Sequence, residues 1–178
     1  MPGPAVGIVV GSDSDLPVIR DACLILEQLG IGYEAVIASA HRTPEKAVDY
    51  ARSAAERGLL VLIGAAGGAA HLPGVLAAHT YLPVIGVPVG TGALNGVDAL
   101  YSIVQMPAGV PVATVAINGA KNAALLAARI IGIANPAVRE KLIQYKNELA
   151  GQVQAKAARL AELGIDKYLA AWRSEAGS

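Results

Sequence analysis

The sequence predicts an α/β fold in which helices cover both faces of a parallel sheet, and three observations carry that expectation. Short β-branched runs alternate with helix-period segments along the chain. Most of those runs are apolar on both faces, as strands buried on two sides must be. Of the 178 residues, 54% are hydrophobic and only 16% charged, enough apolar surface for one well-buried domain.

The strand-like runs are Val6 to Val10, Tyr33 to Ala38, Leu59 to Ile63, Pro83 to Val87 and Val112 to Ile117. The second carries Glu34 and therefore belongs at a sheet edge. Asp15 is placed to cap a first helix whose inward seam reads Val18, Ala22, Ile25 and Leu29, with Gly30 closing it. Thr43 and Pro44 start the next helix and Gly58 ends it. Further helices follow His71, Gly96 and Asn118, and a polar one starts near Pro136. Right-handed crossovers then give a flavodoxin-like three-layer sandwich with a parallel five-stranded sheet and a C-terminal helical tail. Residues 1–135 are expected to form the site-bearing domain, and residues 136–178 a tail packed on it or on a neighbouring subunit.

Charge and composition narrow the function. Fourteen basic residues balance fourteen acidic ones without a basic stripe or polybasic tail, so neither nucleic acid nor a membrane surface is an expected partner. No charged residue occurs from Gly58 through Val97, yet Pro73, Pro83, Pro88 and many glycines interrupt that interval, which reads as buried strands and loops rather than a membrane span. Cys23 is the only cysteine; no intrachain disulfide or thiolate metal site can form, and it reads as a core residue in a reducing compartment. The start, MPGPAVGIVV, lacks a basic n-region, so no signal peptide is apparent and a cytoplasmic location is expected. The segment KNAALLAARIIGIA is alanine- and leucine-rich on nearly every face, which predicts a homo-oligomer that buries it.

In such a sheet every loop leading from strand to helix opens on one edge. The first, Gly11 to Asp15, offers backbone N–H groups, a helix N-terminus and the Ser12 hydroxyl to an anion, while its aspartates suit ribose hydroxyls. The second, SAHRTP, sets Ser39 beside His41, a proton donor or acceptor near neutrality, and Arg42, a planar fork for phosphate or carboxylate. The third, Gly64 to Gly74, has almost no side-chain bulk before His71, as a backbone approaching a flat ligand requires. The fourth, Pro88 to Gly96, is uncharged and glycine-rich and reads as a flap or a turn. His79 lies in an alanine-rich helical stretch and reads as structural. Neither an HExxH motif nor an acidic cluster marks a metal site.

Together GSDSD, SAHRTP, GGAAHLPG and GVDALYSIVQMP, in that order and spacing, resemble the class I 5-(carboxyamino)imidazole ribonucleotide mutases of bacterial purine biosynthesis, the PurE family, across residues 5–133. The resemblance implies a homo-octamer of flavodoxin-like subunits, with no cofactor, that moves a carboxylate from an exocyclic amine to ring carbon 4. It implies that His41 removes the proton from that carbon. By motif position Ser12 and Arg42 hold the phosphate, Asp15 the ribose, and Ser39 lines the pocket. Gly67, Gly68 and Ala69, with His71 and Leu72, bracket the imidazole and its carboxylate. A synthetase that hands over the unstable carbamate is a possible transient partner.

Two positions depart from the family pattern: Ala65 stands where glycine is usual, and the fourth loop reads GTGALNG. The nearest rival is the class II relative, which carboxylates aminoimidazole ribonucleotide directly with carbon dioxide; the intact His71-Leu-Pro-Gly points to class I. A non-catalytic nucleotide-binding module or receiver is the other rival, but the third strand ends in Gly64-Ala65 where a receiver needs an acid, and the chain has no Phe for a flavin platform.

Overall fold

The computed structural model describes residues 3–176. Five parallel strands, β1 (Val6–Val10), β2 (Tyr33–Ile37), β3 (Val61–Gly67), β4 (Val84–Val89) and β5 (Ala113–Thr114), lie in the order β2-β1-β3-β4-β5. Between them run α1 (Leu16–Leu29), α2 (Pro44–Ser53), α3 (Leu72–Ala78) and α4 (Val97–Val104), followed by α5 (Ala120–Gly132) and α6 (Pro136–Ala176). This is the doubly wound flavodoxin-like order, with its topological switch between β1 and β3. β1 and β4 are buried along their whole length, whereas β2 alternates between half-buried and exposed, as the edge position of Glu34 requires.

The third strand differs from expectation. It begins two residues later than Leu59 and continues through Gly67, taking in Gly64 to Gly67, which read as loop. Helix α3 lies directly on Gly64, where a Cβ would meet Leu76 and Pro73 at 3.1–3.3 Å. Gly64 lacks a side chain so that the helix can approach the sheet, and Leu76 is fully buried against it, worth about 2 kcal/mol in apolar transfer.

Other elements shift less. In α1 Ala22, Ile25 and Leu29 are buried as predicted, joined by Ile19 and Leu26, while Val18 is only half-buried. Asp15 makes no side-chain cap on α1; its carboxylate turns back to the preceding turn. Helix α2 stops at Ser53, and a turn carries the chain to Gly58, whose φ of 88° reverses it. The fifth run pairs only at Ala113 and Thr114. Cys23 is half-buried beside Tyr33 rather than in the core, and burial pushes its thiol up.

Helix α5 buries Ala120, Ala123, Ala124, Ala127, Ala128 and Ile131 within this chain, packing against α1. Its small residues permit that close approach. Prolines occupy the first turn of α1, α2 and α3, where the missing N–H costs nothing.

The residues through Arg139 form one compact unit and those from Glu140 a second. In the second, helix α6 breaks at Gly164 (φ 70°, ψ 166°), and Arg159 pairs with Glu175 at 2.6 Å across the break. Among the described residues no helix is long and apolar enough to cross a membrane.

Candidate active site

All four loops at the carboxyl edge of the sheet contribute to one cavity of about 300 Å³. The first supplies Gly11, Ser12, Ser14 and Asp15. Here Ser12 and Asp15 cap each other's backbone: the Ser12 hydroxyl accepts from Ser14 N at 3.4 Å, and the Asp15 carboxylate accepts from Ser12 N at 3.1 Å. Asp15 is only 4% exposed. Burial pushes its carboxyl up; hydrogen bonds from the Ser12 and Gly11 backbone and the charge of Arg42 work against that.

The second loop is tied at both ends. Thr43 Oγ1 accepts from Ser39 N at 2.9 Å and donates to Ser39 O at 3.2 Å, closing the loop just before Pro44. The Ser39 hydroxyl accepts from Arg42 N at 3.2 Å, and Arg42 Nη2 donates to Gly11 O at 3.2 Å. Arg42 thereby joins the first loop to the second and leaves part of its fork for a ligand.

The third loop carries the residue that answers His41. His41 Nε2 and His71 Nδ1 lie 2.7 Å apart, with the rings edge to face at 77°. A bond of that length needs one hydrogen between the two nitrogens, so one imidazole donates and the other accepts. Gly68, with φ of 62°, turns the chain out of β3 so that Ala69, His71 and Leu72 reach the cavity. Ala65 is an ordinary, fully buried strand residue; the left-handed conformation falls on Gly68 instead.

Of the residues expected from sequence, Ser12, Asp15, Ser39, His41, Arg42, Gly67, Ala69, His71 and Leu72 line the cavity, and Gly68 shapes the turn without lining it. Ser14, Ala40, Ala66 and Thr91 also line it and were not singled out. Thr91 had a signal, as one of two polar side chains in an otherwise apolar fourth loop.

The family model described as AIR carboxylase matches residues 5–152. The chain belongs to the AIR carboxylase family. Among curated members, the N5-carboxyaminoimidazole ribonucleotide mutase of Pyrococcus horikoshii is 60% identical over 166 residues, 93% of this chain and 94% of that protein. The mutase of Thermotoga maritima is 59% identical over 93% of this chain and 97% of its own. Among solved structures, Treponema denticola PurE superposes with a TM-score of 0.80 at 31% identity, covering 88% of this chain and 98% of that one. A member of the AIR carboxylase family this similar to named mutases aligns with the isomerase branch rather than with direct carboxylation.

Proposed function

We propose that the cavity converts 5-(carboxyamino)imidazole ribonucleotide into 4-carboxy-5-aminoimidazole ribonucleotide, an intramolecular carboxylate transfer in de novo purine biosynthesis. The enzyme is an isomerase, and the observation that carries its chemistry is the His41–His71 bond at 2.7 Å inside a cavity walled by small residues. Arg42 and Ser12 hold the phosphate, and Asp15 accepts from ribose hydroxyls. Ser39 keeps Arg42 in place. Gly67, Ala69, His71 and Leu72 confine the imidazole, the turn at Gly68 presenting them.

The proton balance suits one histidine. Breaking the N–C bond of the carbamate releases carbon dioxide and leaves the electron pair on the exocyclic nitrogen, which takes a proton from His41. Ring carbon 4 then attacks the trapped carbon dioxide, and His41 takes the proton that this carbon loses. One proton is given and one recovered, so the histidine ends as it began. The second imidazole lets that proton be shared within the site. A close wall positions carbon 4 and keeps carbon dioxide from escaping.

The wider setting follows from the same reading. The exposed side chains Val97, Tyr101 and Val104, spaced along one face of α4, support burial in a homo-oligomer, which we take to be an octamer. The flavodoxin-like catalytic domain is assigned to residues 1–135 and the helical tail to 136–178. A lone thiol fits the reducing cytoplasm, where a synthetase could hand over the labile carbamate.

The deciding test mixes the purified protein with synthetic 4-carboxy-5-aminoimidazole ribonucleotide, without added ATP or metal, and follows the ultraviolet change of the reverse reaction beside His41→Asn. Loss of signal with wild type alone is the expected result. Turnover that starts from aminoimidazole ribonucleotide and bicarbonate, with none from the carbamate, would move the enzyme to the class II reaction.

A further inference from the structure

The fourth loop meets the cavity through a single side chain, Thr91. Its placement is tightly specified. A Cβ on Gly67 would lie 2.3 Å from Thr91 Oγ1 and 3.3 Å from Thr91 Cγ2, so the threonine is seated directly on the glycine's α-carbon. Gly67 is not one of the positive-φ residues. Its lack of a side chain therefore serves the seat of Thr91 and not an unusual backbone.

The base of the loop is clamped from another element. Asn118, between β5 and α5, accepts at Oδ1 from Gly90 N at 2.8 Å, and its own N–H donates to Pro88 O at 2.8 Å. Asn118 holds a left-handed φ of 58° to make both bonds. Thr91 thus follows immediately after a fixed point. Among the described residues its hydroxyl has no hydrogen-bond partner, and it sits against Gly67, which the mutase reading sets beside the imidazole and its carboxylate.

We propose that Thr91 is a further binding residue, whose hydroxyl donates to the ring-borne carboxylate of the substrate and whose position is fixed by the Gly67 seat and the Asn118 clamp. The inference rests on the mutase reading and adds to it a residue that holds the migrating group. It also explains why the third and fourth loops act as one wall: adding a methyl to Gly67 must displace Thr91.

Three comparisons test it, each read as kcat and KM of the reverse reaction with binding of ribose 5-phosphate as a second probe. Thr91→Val, which keeps the shape and removes the hydroxyl, should lower kcat/KM about tenfold, the order expected for one neutral hydrogen bond to a charged group. Ribose 5-phosphate, which has no ring carboxylate, should bind this variant as it binds wild type. Thr91→Ser should recover most of the loss. Gly67→Ala should lower kcat/KM further, and adding Thr91→Ala should return the double variant to the level of Thr91→Ala alone, because the clash is gone. Thr91→Val with undiminished kcat/KM, equal weakening of ribose 5-phosphate, or independent effects of Gly67→Ala and Thr91→Ala would each overturn the proposal. A wild type that turns over no substrate would overturn the mutase reading itself, a result distinct from any of these.

Discussion

Two polar clusters of the molecule are built on opposite logic. At the carboxyl edge of the sheet, Arg42, Asp15, His41 and His71 face a common cavity, each with bonding capacity left for a ligand. Near the start of β2, Glu34, Tyr50 and Arg57 use theirs on one another: the Glu34 carboxylate accepts from Tyr50 Oη at 2.8 Å and from Arg57, whose guanidinium lies 4.5 Å from the Tyr50 ring centre. Burial pushes the Glu34 carboxyl up, but these hydrogen bonds outweigh it and hold it below the usual carboxylate range. Burial likewise pushes the Asp15 carboxyl up, and there the surrounding hydrogen bonds do not compensate. Asp15 is held where burial disfavours its charge, whereas Glu34 sits where its partners favour it.

Substitutions should separate the two clusters by what they damage. His41→Asn should give the largest effect, a loss of about 10³-fold in the reverse reaction with little change in thermal midpoint. Arg42→Ala should cost about 10- to 100-fold in kcat/KM, mostly through KM, as removal of a charge-assisted contact does. Retained full affinity for ribose 5-phosphate in that variant would show that Arg42 does not hold the phosphate.

Asp15→Asn sharpens the contrast, because it should weaken the enzyme and stabilise the fold. Folded Asp15 holds its proton more tightly than its ordinary value of 3.8, so native stability falls as pH rises from that value through the raised one and stays lower at neutrality. The amide variant escapes this fall. Its midpoint should match wild type in acid and exceed it at neutral pH, while activity drops; a lower midpoint at neutral pH would contradict the assignment.

The smallest effect belongs to the other cluster. Glu34→Gln should cost about 0.5–1 kcal/mol at neutral pH, a modest figure because Arg57 and Glu34 remain 37% and 30% exposed. Since folded Glu34 is depressed below 4.5, its contribution is present above that value and is lost as pH falls through the depressed one. The difference from wild type should therefore close in strong acid, with kcat/KM unaffected at neutral pH.

The parallel sheet, its edge strand and the loops that line the cavity were legible in the sequence because they rest on local chemistry: Glu34 marks an edge, and SAHRTP sits between a strand and a proline-led helix. Where the reading slipped, the cause was tertiary. Gly64 to Gly67 looked like loop because small residues serve both flexibility and close packing, and only the position of Pro73 and Leu76 distinguishes them. That α1 covers the alanine stripe of α5 is likewise a matter of packing that composition does not state. His41 and His71 are thirty positions apart, so their bond depends on β1 lying between the strands that carry them. Thr91 carries only a weak local signal, a polar side chain in an apolar loop, because its seat on Gly67 is a tertiary contact.

The prolines that open α1, α2 and α3 have a consequence for what a ligand must do on arrival. Each restricts φ at the point where a cavity loop becomes a helix, which removes conformations from the unfolded chain rather than adding contacts to the folded one. The ordering of these loops is thereby settled during folding. Substrate then meets a surface that has little disorder left to surrender, and the energy of gripping its phosphate is free to hold ring carbon 4 and the released carbon dioxide together.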